Sequence, residues 1–142
     1  IHNIIEGRKS IQSMFKQHIK IEPSKISVSS LDDKLIKKAL DYTEANISNP
    51  EFSVEELSRE LGMSRVHLYK KLLSITGKTP IEFIRVIRLK RAAQLLEESQ
   101  LSVSEIAYEV GFNNPKYFRK YFKDEFDVLP SQYGNRKGAV DE

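Results

Sequence analysis

Residues 80–99 read PIEFIRVIRLKRAAQLLEES, and this stretch decides the fold. Thr79 and Glu82 form a capping box across the start of the stretch, with the threonine as N-cap and Pro80 in the first helical turn. About 20 residues at ~1.5 Å each make a rod of roughly 30 Å. The stretch therefore predicts one long helix, and nearly the same motif flanks it on both sides. Its apolar residues recur with a helical period at Phe83, Ile84, Ile87, Leu89, Ala92, Ala93, Leu95 and Leu96.

The motif before this helix has the pattern of a helix-turn-helix. Ser53 and Glu56 form a capping box for a short amphipathic helix. Gly62 follows, and glycine adopts the positive φ of a tight turn at no steric cost. Ser64 then caps a second helix that runs to about Thr76. Two short helices joined by a glycine-containing turn predict a helix-turn-helix unit.

The motif after the long helix repeats the first one. Ser102 and Glu105 again form a capping box, and Gly111 again ends the short helix. Because the repeat extends over both helices and the turn, the sequence predicts an all-α fold of two helix-turn-helix subdomains joined by a long linker helix. At an offset of 49, Val54, Leu57, Ser58, Leu61 and Gly62 match Val103, Ile106, Ala107, Val110 and Gly111, and at an offset of 50, Leu68, Leu72, Pro80 and Phe83 match Phe118, Phe122, Pro130 and Tyr133.

The repeat sets the expected domain organisation. An amphipathic helix from Leu31 to Ser48, with Ser30 as its N-cap, opens the first unit. We expect a connector over residues 1–30, a first unit over 31–79, a linker helix over 80–99, a second unit over 100–137 and a tail over 138–142.

Composition narrows the possible classes of protein. The 142 residues are 39% hydrophobic and 30% charged, which is typical of a soluble, helix-rich chain. No run in the 142 residues approaches the ~20 apolar residues of a membrane span, so no membrane contact is expected from this sequence. The absence of cysteine excludes disulfides and thiolate metal sites and fits the cytosol.

The residues also argue against an enzyme. His2, His18 and His67 are scattered, and no pair has the spacing of metal ligands on a helix. There is no glycine-rich phosphate loop and no nucleophile elbow. We therefore expect no catalytic residues, no metal and no cofactor.

The charge is unevenly distributed along the chain. The net charge is only +3, but residues 64–91 hold eight basic residues and one acidic residue, Glu82. Such a block favours a surface that faces a polyanion. The alternative is an ordinary solvated helix face.

In the first candidate reading helix, Leu68, Leu72 and Ile75 share one face, which should pack on the short helix before it. The opposite face should contact DNA. Base contacts are expected from Val66, Tyr69 and Lys70, a contact to a base edge or a phosphate from Arg65, and phosphate contacts from Ser64, His67 and Lys71. Arg or Lys can satisfy guanine O6 and N7, and an apolar side chain can contact a thymine methyl group.

In the second candidate reading helix, Phe118 and Phe122 belong to the core, and the basic residues fall on the other face. DNA contacts are expected from Lys116, Arg119 and Lys120, and phosphate contacts from Asn114 and Lys123. Because this face is entirely basic, we expect it to contribute more affinity and salt dependence. The chemically mixed first helix should contribute more of the sequence discrimination.

These motifs resemble the DNA-binding domain of the AraC/XylS family of bacterial transcription regulators. The resemblance is carried by RLKRAAQLL (88–96), IAYEVGF (106–112), YFRKYFK (117–123) and Pro130. It implies seven helices in two homeodomain-like units, with the third and sixth helices, here Ser64–Thr76 and Pro115–Phe126, in successive major grooves. One departure is Leu129, where the family usually has Ser or Thr as the cap of the last helix.

The string is most similar to the output domain of hybrid two-component sensors. That resemblance implies a receiver-like domain upstream of residues 1–30, a membrane-anchored full-length protein, and activation of transcription in the cytoplasm. The expected partners are double-stranded DNA and RNA polymerase, with a homodimer possible through upstream segments. A helical protein-interaction or RNA-binding module is the alternative.

The linker length bears on how the DNA is bound. Two reading helices on one face of DNA must lie about one helical turn apart, ~34 Å. The predicted rod of roughly 30 Å is somewhat shorter, so we expect the DNA to bend toward the protein.

Overall fold

The computed structural model describes residues 30–135, and all regular structure within them is helical. The all-α prediction is thereby confirmed. Apart from Ser30, the expected connector lies outside the described residues, as does the tail at 138–142. The elements are α1 (Ser30–Ala45), α2 (Val54–Glu60), α3 (Arg65–Thr76), α4 (Pro80–Glu98), α5 (Val103–Glu109), α6 (Pro115–Phe126) and a 3₁₀ helix (Pro130–Asn135).

Both ends of α1 differ from the expectation. Ser30 is the first residue of the helix rather than the cap before it, and the helix ends at Ala45 instead of Ser48. The earlier end has a local cause at Asn46. Its side-chain amide donates to the carbonyl oxygen of Tyr42 at 2.8 Å, which satisfies one of the carbonyls left open at a helix end.

The first compact unit comprises residues 30–46 and 52–87. Within it α1 packs on α2, and α2 packs on α3. The fully buried Leu57 and Leu68 belong to the two helices of the helix-turn-helix, as the repeat predicted. Its other buried apolar side chains include Ile36, Leu40, Phe52, Leu72, Ile75, Phe83, Ile84 and Ile87.

The second compact unit comprises residues 47–51 and 88–135. Its core joins the end of α4 to α5 and α6, with Leu89, Ile106, Phe118 and Phe122 all buried. The aromatic rings continue the core toward the 3₁₀ helix, because Phe122 meets Tyr133 edge to face at 5.4 Å. Aromatic pairs at such distances stabilise a core beyond the area that they bury.

Helix α4 is divided between the two units. Residues 80–87 belong to the first and residues 88–98 to the second. The apolar side chains of α4 are buried in both halves, including Phe83 and Ile87 in the first and Leu89 and Ala92 in the second. The helix predicted as a linker is therefore a core element of each unit.

Several predicted caps are present with the expected geometry. Thr79 N donates to Glu82 Oε1 at 2.9 Å, and Glu82 N donates to Thr79 Oγ1 at 3.3 Å, so the capping box before α4 is complete. The box of Ser102 and Glu105 before α5 is complete as well. Before α2 only one arm of the predicted capping box is formed: Ser53 Oγ accepts from the backbone N–H of Glu56 at 3.4 Å.

The last helix begins without a hydroxyl cap, as Leu129 indicated. Instead, Leu129 N donates to Gln132 Oε1 at 3.2 Å. The glutamine thus supplies one arm of a capping box from inside a 3₁₀ helix.

No helix in the described part of the chain is long and apolar enough to cross a membrane.

Candidate nucleic-acid interface

Helix α3 presents a sharply divided surface. Ser64 Oγ accepts from the backbone N–H of His67 at 3.0 Å and fixes the start of the helix. Leu68 and Leu72 are fully buried against the unit, whereas Val66 is 65% exposed and Tyr69 is 47% exposed. The predicted base-reading residues Arg65, Val66, Tyr69 and Lys70 therefore all lie on the solvent side of one helix.

Helix α6 repeats this division with different chemistry. Asn114 Oδ1 accepts from the backbone N–H of Lys116 at 2.8 Å, and Pro115 occupies the first turn. Phe118 and Phe122 are fully buried. On the outer side, Lys116, Lys120 and Lys123 are exposed and Arg119 is half-buried. The outer face of α6 is thus basic over the two turns from Lys116 to Lys123.

The capping residues retain groups that can still bind a phosphate. Asn114 uses its side-chain oxygen as the cap, which leaves its amide N–H groups to donate outward. The exposed His67 lies in the first turn of α3. Donors at a helix N-terminus are well placed for an anion because the helix dipole adds to their attraction.

Two lysines that are adjacent in sequence have different surroundings. Lys71 Nζ lies 3.1 Å from Asp32 Oδ1 of α1, so this ammonium group braces the first unit. Lys70 is exposed on the outer face beside Tyr69. The structure therefore separates Lys71, which had been expected to contact a phosphate, from the other predicted residues of α3.

Lys120 is engaged only weakly within the protein. Its ammonium group lies 3.4 Å from Asp124 Oδ2 and 5.2 Å from the centre of the Tyr121 ring. Both members of the ion pair are about two-thirds exposed, at 64% and 65%. Exposed pairs of this kind contribute little to stability, so a phosphate group can replace the carboxylate at little cost.

The basic residues of α4 do not form one outward-facing surface. Arg88 is 7% exposed and Lys90 is 1% exposed. The Arg88 guanidinium donates to the carbonyl oxygens of Ile47 at 2.6 Å and Val110 at 2.7 Å, and burial lowers its pKa. Lys90 Nζ lies 5.5 Å from the centre of the Phe126 ring. Part of the basic block at residues 64–91, which favoured a polyanion-facing surface, is therefore buried and stabilises the fold instead of facing solvent.

The structure adds two residues that the sequence analysis did not place at the site. Tyr117 is 56% exposed in the first turn of α6, and Ile81 is 60% exposed at the start of α4. Tyr117 could have been found from the repeat, because at the offset of 50 it matches His67. Ile81 carries no such signal, since its exposure depends on how α4 packs.

Metal binding finds no support in the described residues. No group of three or more His, Cys, Asp or Glu side chains there could hold an ion. What the two outer faces offer is hydrogen-bond donors, positive charge and a few apolar groups.

Comparisons with known proteins also indicate a helix-turn-helix domain. A family model described as a helix-turn-helix domain matches residues 57–136. Histidine kinase P4 of Formosa agariphila is 48% identical over 136 residues, which are 96% of this chain and 10% of that protein. More generally, the chain spans between 10% and 35% of the length of three curated relatives that it matches.

Two solved structures also have a fold similar to that of this chain. The C-terminal domain of AraT, a response regulator from Geobacillus stearothermophilus, has a TM-score of 0.65 and 29% identity over 72% of this chain and 85% of that one. The DNA-binding domain of AdpA, in complex with a target DNA, has a TM-score of 0.62 and 29% identity over 72% of this chain and 88% of that one.

Proposed function

Because the chain belongs to the AraC-type helix-turn-helix family of DNA-binding transcription regulators, we propose that α3 and α6 are its two reading helices for double-stranded DNA. The observation that carries the proposal is the division of both helices. Each is capped at its start, buries one apolar face in its own unit, and turns a face with at least two basic side chains to solvent. That is what insertion into a major groove requires of a helix.

The two helices have different tasks in this proposal. On α3, Arg65 and Lys70 donate to guanine edges, while Val66 and Tyr69 offer apolar surface to bases. On α6, Lys116, Arg119 and Lys120 offer only donors and charge. Helix α3 therefore supplies more discrimination between sequences, and α6 supplies more affinity, which falls with salt because phosphate contacts release counterions.

Contacts to the DNA backbone fix the register of the two helices. Ser64, His67, Asn114 and Lys123 lie at the starts or outer faces of α3 and α6, where phosphate oxygens pass a helix seated in the groove. We add Tyr117 to this set through its exposed hydroxyl and leave out Lys71, whose ammonium group is paired with Asp32.

The chain serves as the output module of a two-component signalling protein. This part of the proposal is supported by the 48% identity to a histidine kinase and by the likeness to a domain of a response regulator. In such a protein the domain acts on chromosomal DNA in the cytoplasm and activates transcription by recruiting RNA polymerase. Dimerisation, where it occurs, uses segments upstream of residue 30.

A protein-interaction or RNA-binding module is the competing function. A gel-shift titration separates the two, with duplexes selected from a random pool and single-stranded RNA of matched length. We expect tight binding to the selected duplex, with an affinity that falls steeply between 50 and 200 mM salt. Equal or tighter binding to RNA, or no binding to any duplex, would refute the proposal.

The division of tasks is tested with Tyr69→Ala and Lys120→Ala. A base contact accounts for ~1–3 kcal/mol of discrimination, whereas a phosphate contact accounts for about one unit of the salt slope. Tyr69→Ala should therefore reduce the preference for the selected site, and Lys120→Ala should weaken binding to all duplexes. The assignment is reversed if Lys120→Ala relaxes specificity more than Tyr69→Ala.

A further inference from the structure

An apolar groove of about 660 Å³ lies beside α3 in the first unit. Val66 and Tyr69 of α3 line one part of it, and Pro80 and Ile81 at the start of α4 line another. Val66 is 65% exposed, Tyr69 47% and Ile81 60%. Large apolar side chains are thus grouped at one exposed surface, where they can contact an apolar group of a ligand.

The charges around the groove indicate what occupies it. Arg65 and Lys70 also line it and are exposed, so two cations lie at an otherwise apolar surface. An occupant that satisfies both features carries negative charge next to apolar groups. Duplex DNA has this combination in its major groove, where thymine C5-methyl groups lie between two rows of phosphates.

Helix α6 lacks this apolar surface. At the offset of 50, Lys116 takes the place of Val66 and Arg119 takes the place of Tyr69. Lys123 likewise takes the place of Leu73, which is 42% exposed. The two reading faces therefore differ in their capacity to recognise a methyl group.

We propose that this groove receives thymine methyl groups, so that the half-site bound by α3 is recognised through thymines and the half-site bound by α6 is not. The inference rests on the proposed function and makes it specific for one chemical group. A volume of about 660 Å³ admits the edges of more than one base rather than a single methyl group.

The test removes the methyl group without changing any hydrogen bond. In a duplex selected from a random pool, every thymine of one half-site is replaced by deoxyuridine, and then every thymine of the other half-site. The dissociation constant of the intact chain is measured for each duplex. Because burial of one methyl-sized group corresponds to about a fourfold change in affinity, two contacted methyl groups should weaken binding about fifteenfold.

Variants identify the helix responsible. Val66→Ser removes both methyl groups of the side chain, and its site is exposed, so the fold should persist; thermal unfolding by circular dichroism checks this. It should reduce the loss caused by deoxyuridine to less than half. Lys120→Met serves as the matched control and should weaken binding to all duplexes while leaving the deoxyuridine loss unchanged.

The outcomes are separable. A loss confined to one half-site and reduced by Val66→Ser supports the proposal. A loss in neither half-site, an equal loss in both, or a loss that Val66→Ser does not change would overturn it. Failure to bind any duplex would instead refute the proposed function itself.

Discussion

Gly111 should tolerate alanine far less well than the equivalent glycine of the first unit. It has a φ of +91°, and a Cβ atom added there would overlap the Arg88 guanidinium and the carbonyl oxygen of Ile47. The left-handed backbone alone costs a residue with a Cβ atom ~1–2 kcal/mol. Displacing Arg88 from the carbonyls of Ile47 and Val110 adds about 1.5–3 kcal/mol for each hydrogen bond lost, because a charged donor is left without its acceptors.

Gly62 provides the matched control for this substitution. It lies at the same place in the first helix-turn-helix, with a φ of +69°, but nothing lies within 4 Å of an added Cβ atom. Gly62→Ala should therefore cost only the backbone strain of ~1–2 kcal/mol. Urea unfolding followed by far-ultraviolet circular dichroism measures both variants. Equal losses would show that the close approach of Arg88 does not constrain the turn.

Three further predictions address other parts of the molecule. Lys71→Met should lower the free energy of unfolding by up to about 1 kcal/mol through loss of its pair with Asp32 and leave the salt slope of DNA binding unchanged. Lys123→Met should instead reduce that slope by about one, because the exposed Lys123 is expected to contact a phosphate, and a change of slope with Lys71→Met alone would reverse the assignment. Burial and the hydrogen bond with Glu97 raise the pKa of Tyr133 to about 12, so its folded-state pKa exceeds its unfolded value of 10. The resulting stabilisation is complete below pH 10 and is lost as pH rises toward 12; a comparison of urea midpoints with Tyr133→Phe across this range should show a shallower decline for the variant. Finally, circular-permutation gel shifts should show that the selected duplex is bent, and phasing against a reference bend should show that it bends toward the protein; unbent DNA bound at both half-sites would contradict the length argument for α4.

Much of the fold could be predicted because the sequence contains two copies of the same unit, and each copy can be compared with the other. The offset of 49 to 50 between the two units aligns Gly62 with Gly111 and Leu68 with Phe118, and each pair has the same place in the structure. The N-cap roles of Ser64 and Ser102 could also be predicted from the sequence, since they depend only on residues within one helical turn.

The burial and the partners of individual charged side chains could not be predicted from the sequence in the same way. Arg88, Lys90 and Arg91 are close together in sequence, yet the first two are buried and the third is exposed, where it donates to Gln94 Oε1 at 3.0 Å. The partners of Arg88 come from Ile47 and Val110, which are far from it in the chain. A count of basic residues therefore overestimated the surface available to DNA.

Dimethyl sulfate protection would show whether α3 and α6 each enter a major groove. This reagent methylates guanine N7, which a side chain in the major groove shields. On a selected duplex we predict two protected patches about one helical turn, ~34 Å, apart. Protection of the first patch should fall with Arg65→Ala, and protection of the second should fall with Arg119→Ala. A single protected patch, or two patches that both variants leave intact, would show that the two helices do not both read a major groove.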